Sequence, residues 1–107
     1  MPDYELIYIL DPDLTEEQVT DAINRVVSVA QGGGAQVEDP ERWPKRRLAY
    51  AIKDKREGFY VVTRMQASPP AITELDRVLK LTEPVLRHMV VRQEEEKKPP
   101  APEVKAP

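Results

Sequence analysis

The chain of 107 residues has no cysteine, one histidine, one tryptophan and one phenylalanine. Without cysteine there is neither a disulfide framework nor a thiolate metal site, which fits a reducing compartment. No apolar run approaches the ~18 residues that a membrane helix requires. The first residues, MPDYE, lack the basic start of a signal peptide, so the expected location is the cytoplasm. Catalytic chemistry has little to draw on. His88 stands alone, and the serines and threonines lie in no motif that joins them to a histidine and an acid. The run Gly32-Gly33-Gly34 follows a helical pattern instead of leading from a strand into one, and no Lys-Ser or Lys-Thr comes after it. It therefore reads as a helix stop and not as a phosphate loop. The acids between residues 11 and 21 lack the alternating spacing and closing glutamate of a calcium loop; capping and solvation account for them, and no metal or other cofactor is implied.

Charge is present but segregated. The formal net charge is −3, yet residues 1–41 carry ten acids against Arg25 alone, and residues 42–64 carry eight bases against Asp54 and Glu57. A polyanion senses the local field and not the sum, so one basic face on an acidic body remains compatible with nucleic acid. The basic stretch is RWPKRRLAYAIKDKREGFY, residues 42–60, with Trp43, Leu48, Tyr50, Ile52, Phe59 and Tyr60 between its charges. These apolar and aromatic residues suit a pleated, half-buried surface. Lys53 to Gly58 is polar and ends in glycine, which predicts a hairpin with a longer loop. Basic residues on an edge strand also discourage aggregation without any ligand, and aromatics there serve a core as readily as a base stack.

The rest of the chain reads as a scaffold. Tyr4 to Leu10 is a nearly continuous apolar strand, with Tyr4, Leu6, Tyr8 and Leu10 on one face and Glu5, Ile7 and Ile9 on the other. Thr15 with Gln18 forms a capping box, Leu14 and Val19 have the spacing of a hydrophobic staple, and the apolar stripe from Val19 to Ala30 predicts a helix. A second strand starts at Ala35 and is interrupted by Pro40 and Pro44, which places it at a sheet edge or a bulge. It resumes over Arg46 to Ile52 and returns as Phe59 to Ala67. Ser68-Pro69-Pro70 opens a second helix, with Ile72, Leu75, Val78 and Leu79 on one stripe, and Val85 to Gln93 is the last strand. The expected fold is α+β: a ferredoxin-like βαββαβ arrangement whose four-stranded antiparallel sheet carries two helices on one face. The last strand, like the first, is expected near the interior, and Leu86, His88 and Val90 are placed on the helix-covered face. There His88 is either structural or a contact for RNA or a partner. The domain spans residues 1–93, and residues 94–107, charged and proline-rich, are expected to form a disordered tail.

Four segments carry a family likeness: YELIYILDPDLTEEQV at the start, W-x-KRRLAY-x-I in the second strand, REGFYVV opening the third, and VLRHMVV in the last. In order and spacing they resemble the S6 family of bacterial small-subunit ribosomal proteins over residues 3–92. Pro44 stands where that family usually has glycine, and Ala51 where proline is common. The resemblance implies a non-enzymatic constituent of the small subunit. It implies binding to the central domain of small-subunit (16S) ribosomal RNA as a heterodimer with ribosomal protein S18, in support of subunit assembly and translation. By position it makes Lys45, Arg46, Arg47 and Arg87 RNA contacts, with Arg92, Lys53, Lys55 and Arg56 as weaker candidates. It assigns Tyr60, Val62, Met89 and Val91, on the open sheet face, to the protein partner. The acidic first helix is then expected to face away from the RNA. A small-molecule-binding or regulatory domain is the alternative, because ferredoxin-like sheets often bind metabolites at an interface. An acylphosphatase-like enzyme is disfavoured, since Asp11-Pro12-Asp13 near the first strand would repel phosphate.

Overall fold

A computed structural model describes residues 2–93; the tail expected from residue 94 onward lies outside the described residues. Seven elements follow in the order β1 (Asp3–Leu10), α1 (Glu16–Gly32), β2 (Gln36–Val37), β3 (Glu41–Ile52), β4 (Lys55–Gln66), α2 (Pro69–Leu81) and β5 (Val85–Gln93). All strand pairs are antiparallel. β1 lies between β4 and β5, while β2 and β3 run one after the other along the far edge of β4. Among the described residues no helix is long and apolar enough to cross a membrane.

The pleat of β1 decides the two faces. Tyr4, Leu6, Tyr8 and Leu10 are buried under the helices with Val61 and Met65 of β4, Val19, Ile23 and Val26 of α1, and Leu75 and Leu79 of α2. Full burial of each large apolar side chain there stabilises the fold by about 1.5–3 kcal/mol. The helix starts follow the capping chemistry. Thr15 and Gln18 exchange both capping-box hydrogen bonds, and the Ser68 hydroxyl accepts from the Ala71 amide ahead of Pro69. At the end of α1, Gly34 takes φ +93 while the Ala35 amide reaches back to the Ala30 carbonyl at 3.1 Å, the left-handed closure that favours glycine. Gly33 serves packing, since a Cβ there would lie 3.3 Å from the Cβ of Ala71 on α2.

Four expectations need correction. The hairpin loop is not Lys53 to Gly58. Lys53 and Asp54 alone turn the chain, with φ of 51 and 66, and β4 starts at Lys55; two consecutive positive φ values give the twist that suits a two-residue hairpin. Gly58 is therefore a strand residue, buried against Ile9. β5 is an edge strand, bonded to β1 only, because β4 occupies the other side of β1. A register shift between Ile9 and Leu10 opposite the start of β5 sends Leu86 to the open face, where it packs with Ile9 and Leu48; Val85 takes the place under the helices. Pro40 breaks the second strand, separating β2 from β3, and β3 lies at the sheet edge with a bulge where Arg42 and Lys45 face Val61 and Phe59, as the prolines predict; the correction is that Pro44 lies inside β3 and does not interrupt it.

Candidate nucleic-acid and partner interface

The face without helices is ordered in cross-strand rows. Tyr60, Ile9 and Arg87 form one row across β4, β1 and β5; Val62, Ile7 and Met89 form the next; Arg64, Glu5 and Val91 form the third. β3 extends this face. Its ladder skips from Arg47 opposite Glu57 to Ile52 opposite Lys55, so the intervening residues bulge: Leu48 turns inward to Ile9 and Leu86, and Tyr50 stands out, 60% exposed. A groove of about 340 Å³ results, lined by Ile7, Ile9, Leu48, Ile52, Tyr60 and Met89, with Tyr50 and Arg87 also on its lining. Among the described residues, Tyr50, Met89 and Val91 are exposed large hydrophobics on this sheet, the latter two at 54% and 37%.

Arginines edge the groove on aromatic rings. Arg46 lies 5.3 Å from the Trp43 ring and 6.0 Å from the Tyr60 ring, and Trp43 and Tyr60 stack at 6.2 Å with an interplanar angle of 28°. Arg87 lies 5.8 Å from the Tyr50 ring and donates a hydrogen bond to its hydroxyl. A guanidinium over a ring keeps its charge while its plane is fixed, which suits it to receive an oxyanion at a set angle.

The helix-side edge of the β3–β4 ribbon holds the other bases. Lys45 lies 5.3 Å from the Phe59 ring, and Arg47 faces Glu57 across the ladder. Arg46 and Arg47 thus point to opposite faces, as the strand period requires. Lys53 and Arg56 sit at the hairpin tip. Two bases are engaged by acids of the β1–α1 corner: Arg42 with Glu16 at 2.5 Å, and Lys55 with Asp13 at 2.5 Å and Asp11 at 3.7 Å. The hydrogen bond to Lys55 holds the Asp13 carboxyl below its ordinary range, and the same bond raises Lys55. Among the described residues no carboxylate forms an ion pair with Lys45, Arg46, Arg47, Lys53, Arg56, Arg87 or Arg92.

The structure therefore brings together some of the anticipated residues and separates others. Lys45, Arg46, Arg47, Lys53 and Arg56 share one ribbon, and Arg87 joins Arg46 on the open face. Arg92 is opposite Tyr4 at the far end of β5, remote in the sheet from the ribbon. Lys55 is held by Asp13. Tyr60, Val62, Met89 and Val91 all occupy the open face, although Val62 is buried between Ile7 and its neighbours. His88 turns under the sheet, where its Nε2 is 2.6 Å from an Asp76 carboxylate oxygen and its side chain is 11% exposed, so it ties the edge strand to α2. The start of α1 does not stand clear of the basic ribbon, because Glu16 reaches Arg42. That contact escaped the sequence reading: the partners are 26 residues apart, and only the sheet order brings them together.

Comparison with known proteins gives a consistent result. The sequence model of the family described as ribosomal protein S6 matches residues 3–92. The chain is similar to the small ribosomal subunit protein bS6 of Desulforamulus reducens, with 43% identity over 95 residues, 89% of this chain and all of that one. It is 45% identical to the bS6 protein of Desulforudis audaxviator over 94 residues, 88% of this chain and all of the relative. The fold is similar to the crystal structure of 30S ribosomal protein S6 from Thermotoga maritima, with a TM-score of 0.84, 26% identity, and coverage of 91% of this chain and 92% of that one.

Proposed function

The chain belongs to the ribosomal protein S6 family, structural and non-enzymatic constituents of the small subunit of the cytoplasmic ribosome, and on that premise we propose that it binds the central domain of small-subunit ribosomal RNA together with ribosomal protein S18. The observation that carries this reading is the two-sided ribbon. One side offers Lys45 and Arg47, with Lys53 and Arg56 at its tip, as bases that form no ion pair among the described residues. The other side joins an apolar groove with exposed Met89 and Val91. Phosphates suit the first surface, and a protein partner with an apolar anchor suits the second.

Arg46 and Arg87 lie where the two surfaces meet. Their rings keep each guanidinium plane fixed at the rim of the groove. From there they reach RNA that passes beside a seated partner. Few phosphate contacts and a net charge of −3 make binding by this chain alone weak. A basic partner covering the groove adds its own phosphate contacts, and the linked gain is cooperative assembly.

The test is binding to a central-domain RNA fragment, with and without S18, across a salt series. Cooperative binding that weakens steeply with salt supports the proposal. Absence of binding under both conditions overturns it. The groove, about 340 Å³ and largely apolar in its lining, also has the size of a small ligand site. Occupation by a neutral metabolite would respond little to salt, which separates the two readings.

A further inference from the structure

The acids that engage the basic ribbon are arranged in a way that stability alone does not explain. Asp13 and Glu16 belong to the corner between β1 and α1, which is held in place where the Asp11 amide donates to the Pro84 carbonyl at 2.9 Å. From this corner Glu16 reaches Arg42 at the start of β3, and Asp13 reaches Lys55 just past the hairpin turn. The two carboxylates are 81% and 75% exposed, while the bases they hold are 30% and 31% exposed. The acids therefore stand on the solvent side of the bases, in the position from which a phosphate would approach. An acid in the first turn of a helix is favoured by the helix dipole, which accounts for Glu16 and Glu17 being acidic. It does not account for one of them reaching across to β3. Exposed ion pairs stabilise a fold very little, so the clamps have small value as braces.

We infer that Asp13 and Glu16 are specificity-determining residues that act as internal phosphate stand-ins: they occupy Lys55 and Arg42, confining RNA contact on the helix-side edge of the ribbon to Lys45, Arg47 and the hairpin tip. The inference rests on the RNA-binding reading above and adds to it a restriction on which RNA is held. A polyanion without the matching shape meets a ribbon in which two of the bases are already engaged by acids. RNA placed by a partner needs only the bases that remain, Lys45, Arg47 and the hairpin tip.

The experiment compares full-length wild type with the variant Asp13→Asn plus Glu16→Gln, using poly-uridylate as a generic polyanion across a salt series. The change frees Arg42 and leaves Lys55 with Asp11 alone, at 3.7 Å, so binding should tighten about three- to tenfold at low salt and the salt slope should steepen by about 0.7–1.4, at roughly 0.7 per phosphate on a single strand. Glu17→Gln plus Asp21→Asn makes the same charge change further along α1, at residues that among the described residues hold no base of the ribbon; it should keep the wild-type slope. Arg42→Gln plus Lys55→Gln should leave the affinity of the wild type within about twofold, and should abolish the gain when combined with the acid variant. An unchanged slope in the acid variant, or an equal gain in the charge-matched control, overturns the inference. Both results are independent of the assay with the ribosomal RNA fragment, so failure of caging and failure of RNA assembly are told apart. The capping box of Thr15 and Gln18 is untouched, and a thermal melt confirms that each variant is folded.

Discussion

Substitution of Gly58 by alanine is the sharpest test of the packing that sets the ribbon on the body. An ideal Cβ at Gly58 would lie 2.4 Å from Ile9 Cγ2 and 3.0 Å from the Leu10 carbonyl oxygen. The first distance is untenable and the second cannot relax without moving β1. Ile9 is branched at Cβ and stiff at χ1, and it is fixed between Tyr60 and Arg87 in its row and against Leu48 and Leu86. Overpacking of this kind costs about 1–3 kcal/mol, and the reduced freedom of the unfolded chain returns about 0.4–1 kcal/mol. The expected net loss is about 1–2 kcal/mol, or roughly 4–8 °C in Tm per kcal/mol for a domain of this size. Urea unfolding measures it as a lower midpoint at constant m. A double-mutant cycle with Ile9→Ala identifies the cause. Removal of Cγ2 makes room for the new methyl, so the two changes together should cost less than their sum by about 0.5–3 kcal/mol. A neutral or stabilising Gly58→Ala, or strict additivity with Ile9→Ala, would refute the argument.

Other outcomes follow from the same structure. Tyr8 is fully buried, its hydroxyl has no hydrogen-bond partner among the described residues, and burial pushes its phenol pKa well up. Tyr8→Phe should therefore raise stability by about 1 kcal/mol, since an unmet buried hydroxyl costs about 1–3 kcal/mol, and a loss on urea unfolding would mean that the hydroxyl is satisfied. The hydrogen bond from His88, followed by the interactions of Lys80, holds the Asp76 carboxyl below its ordinary value. A folded-state pKa below the unfolded one gives stability that is present above about pH 4 and is lost as pH falls through the folded value. Urea midpoints from neutral pH to acid should thus fall less steeply for Asp76→Asn than for the wild type; parallel curves would deny the contribution. Arg46→Ala removes the contacts with Trp43 and Tyr60 at a cost of about 0.5–1 kcal/mol, and a thermal melt that collapses would make Arg46 a core residue instead.

The elements were legible because local chemistry announced them. The capping box at Thr15, the Ser68-Pro69 start, the stripe from Val19 to Ala30 and the alternation of Phe59 to Met65 all appear where the sequence places them. The faces of β1 were readable for the same reason. What was not readable depends on strand order and register. Gly58 looked like a loop residue because glycine after charged residues resembles a turn, whereas its true reason is the methyl group of Ile9 across the sheet. Leu86 moved to the open face because one register shift opposite Leu10 reverses the parity. Pro44 and the residues after Arg47 bulge, so the direction of Tyr50 did not follow from counting by two. The basic run was visible in sequence. That Asp13 and Glu16 subtract two of its charges was not, since each partner lies tens of residues away.

The central claim is that the ribbon divides its labour, with Lys45 and Arg47 on phosphate and the open-face groove on a protein partner. Its most direct test is one assembly assay on the central-domain RNA fragment with S18, run with two variants. Met89→Glu should abolish capture of S18 by this chain in the absence of RNA. Lys45→Ala plus Arg47→Ala should leave that capture intact, while weakening assembly on RNA and reducing its salt slope by about 0.7–0.9 for each phosphate no longer neutralised. The same failure to capture S18 in both variants, or normal capture by Met89→Glu, would contradict the division.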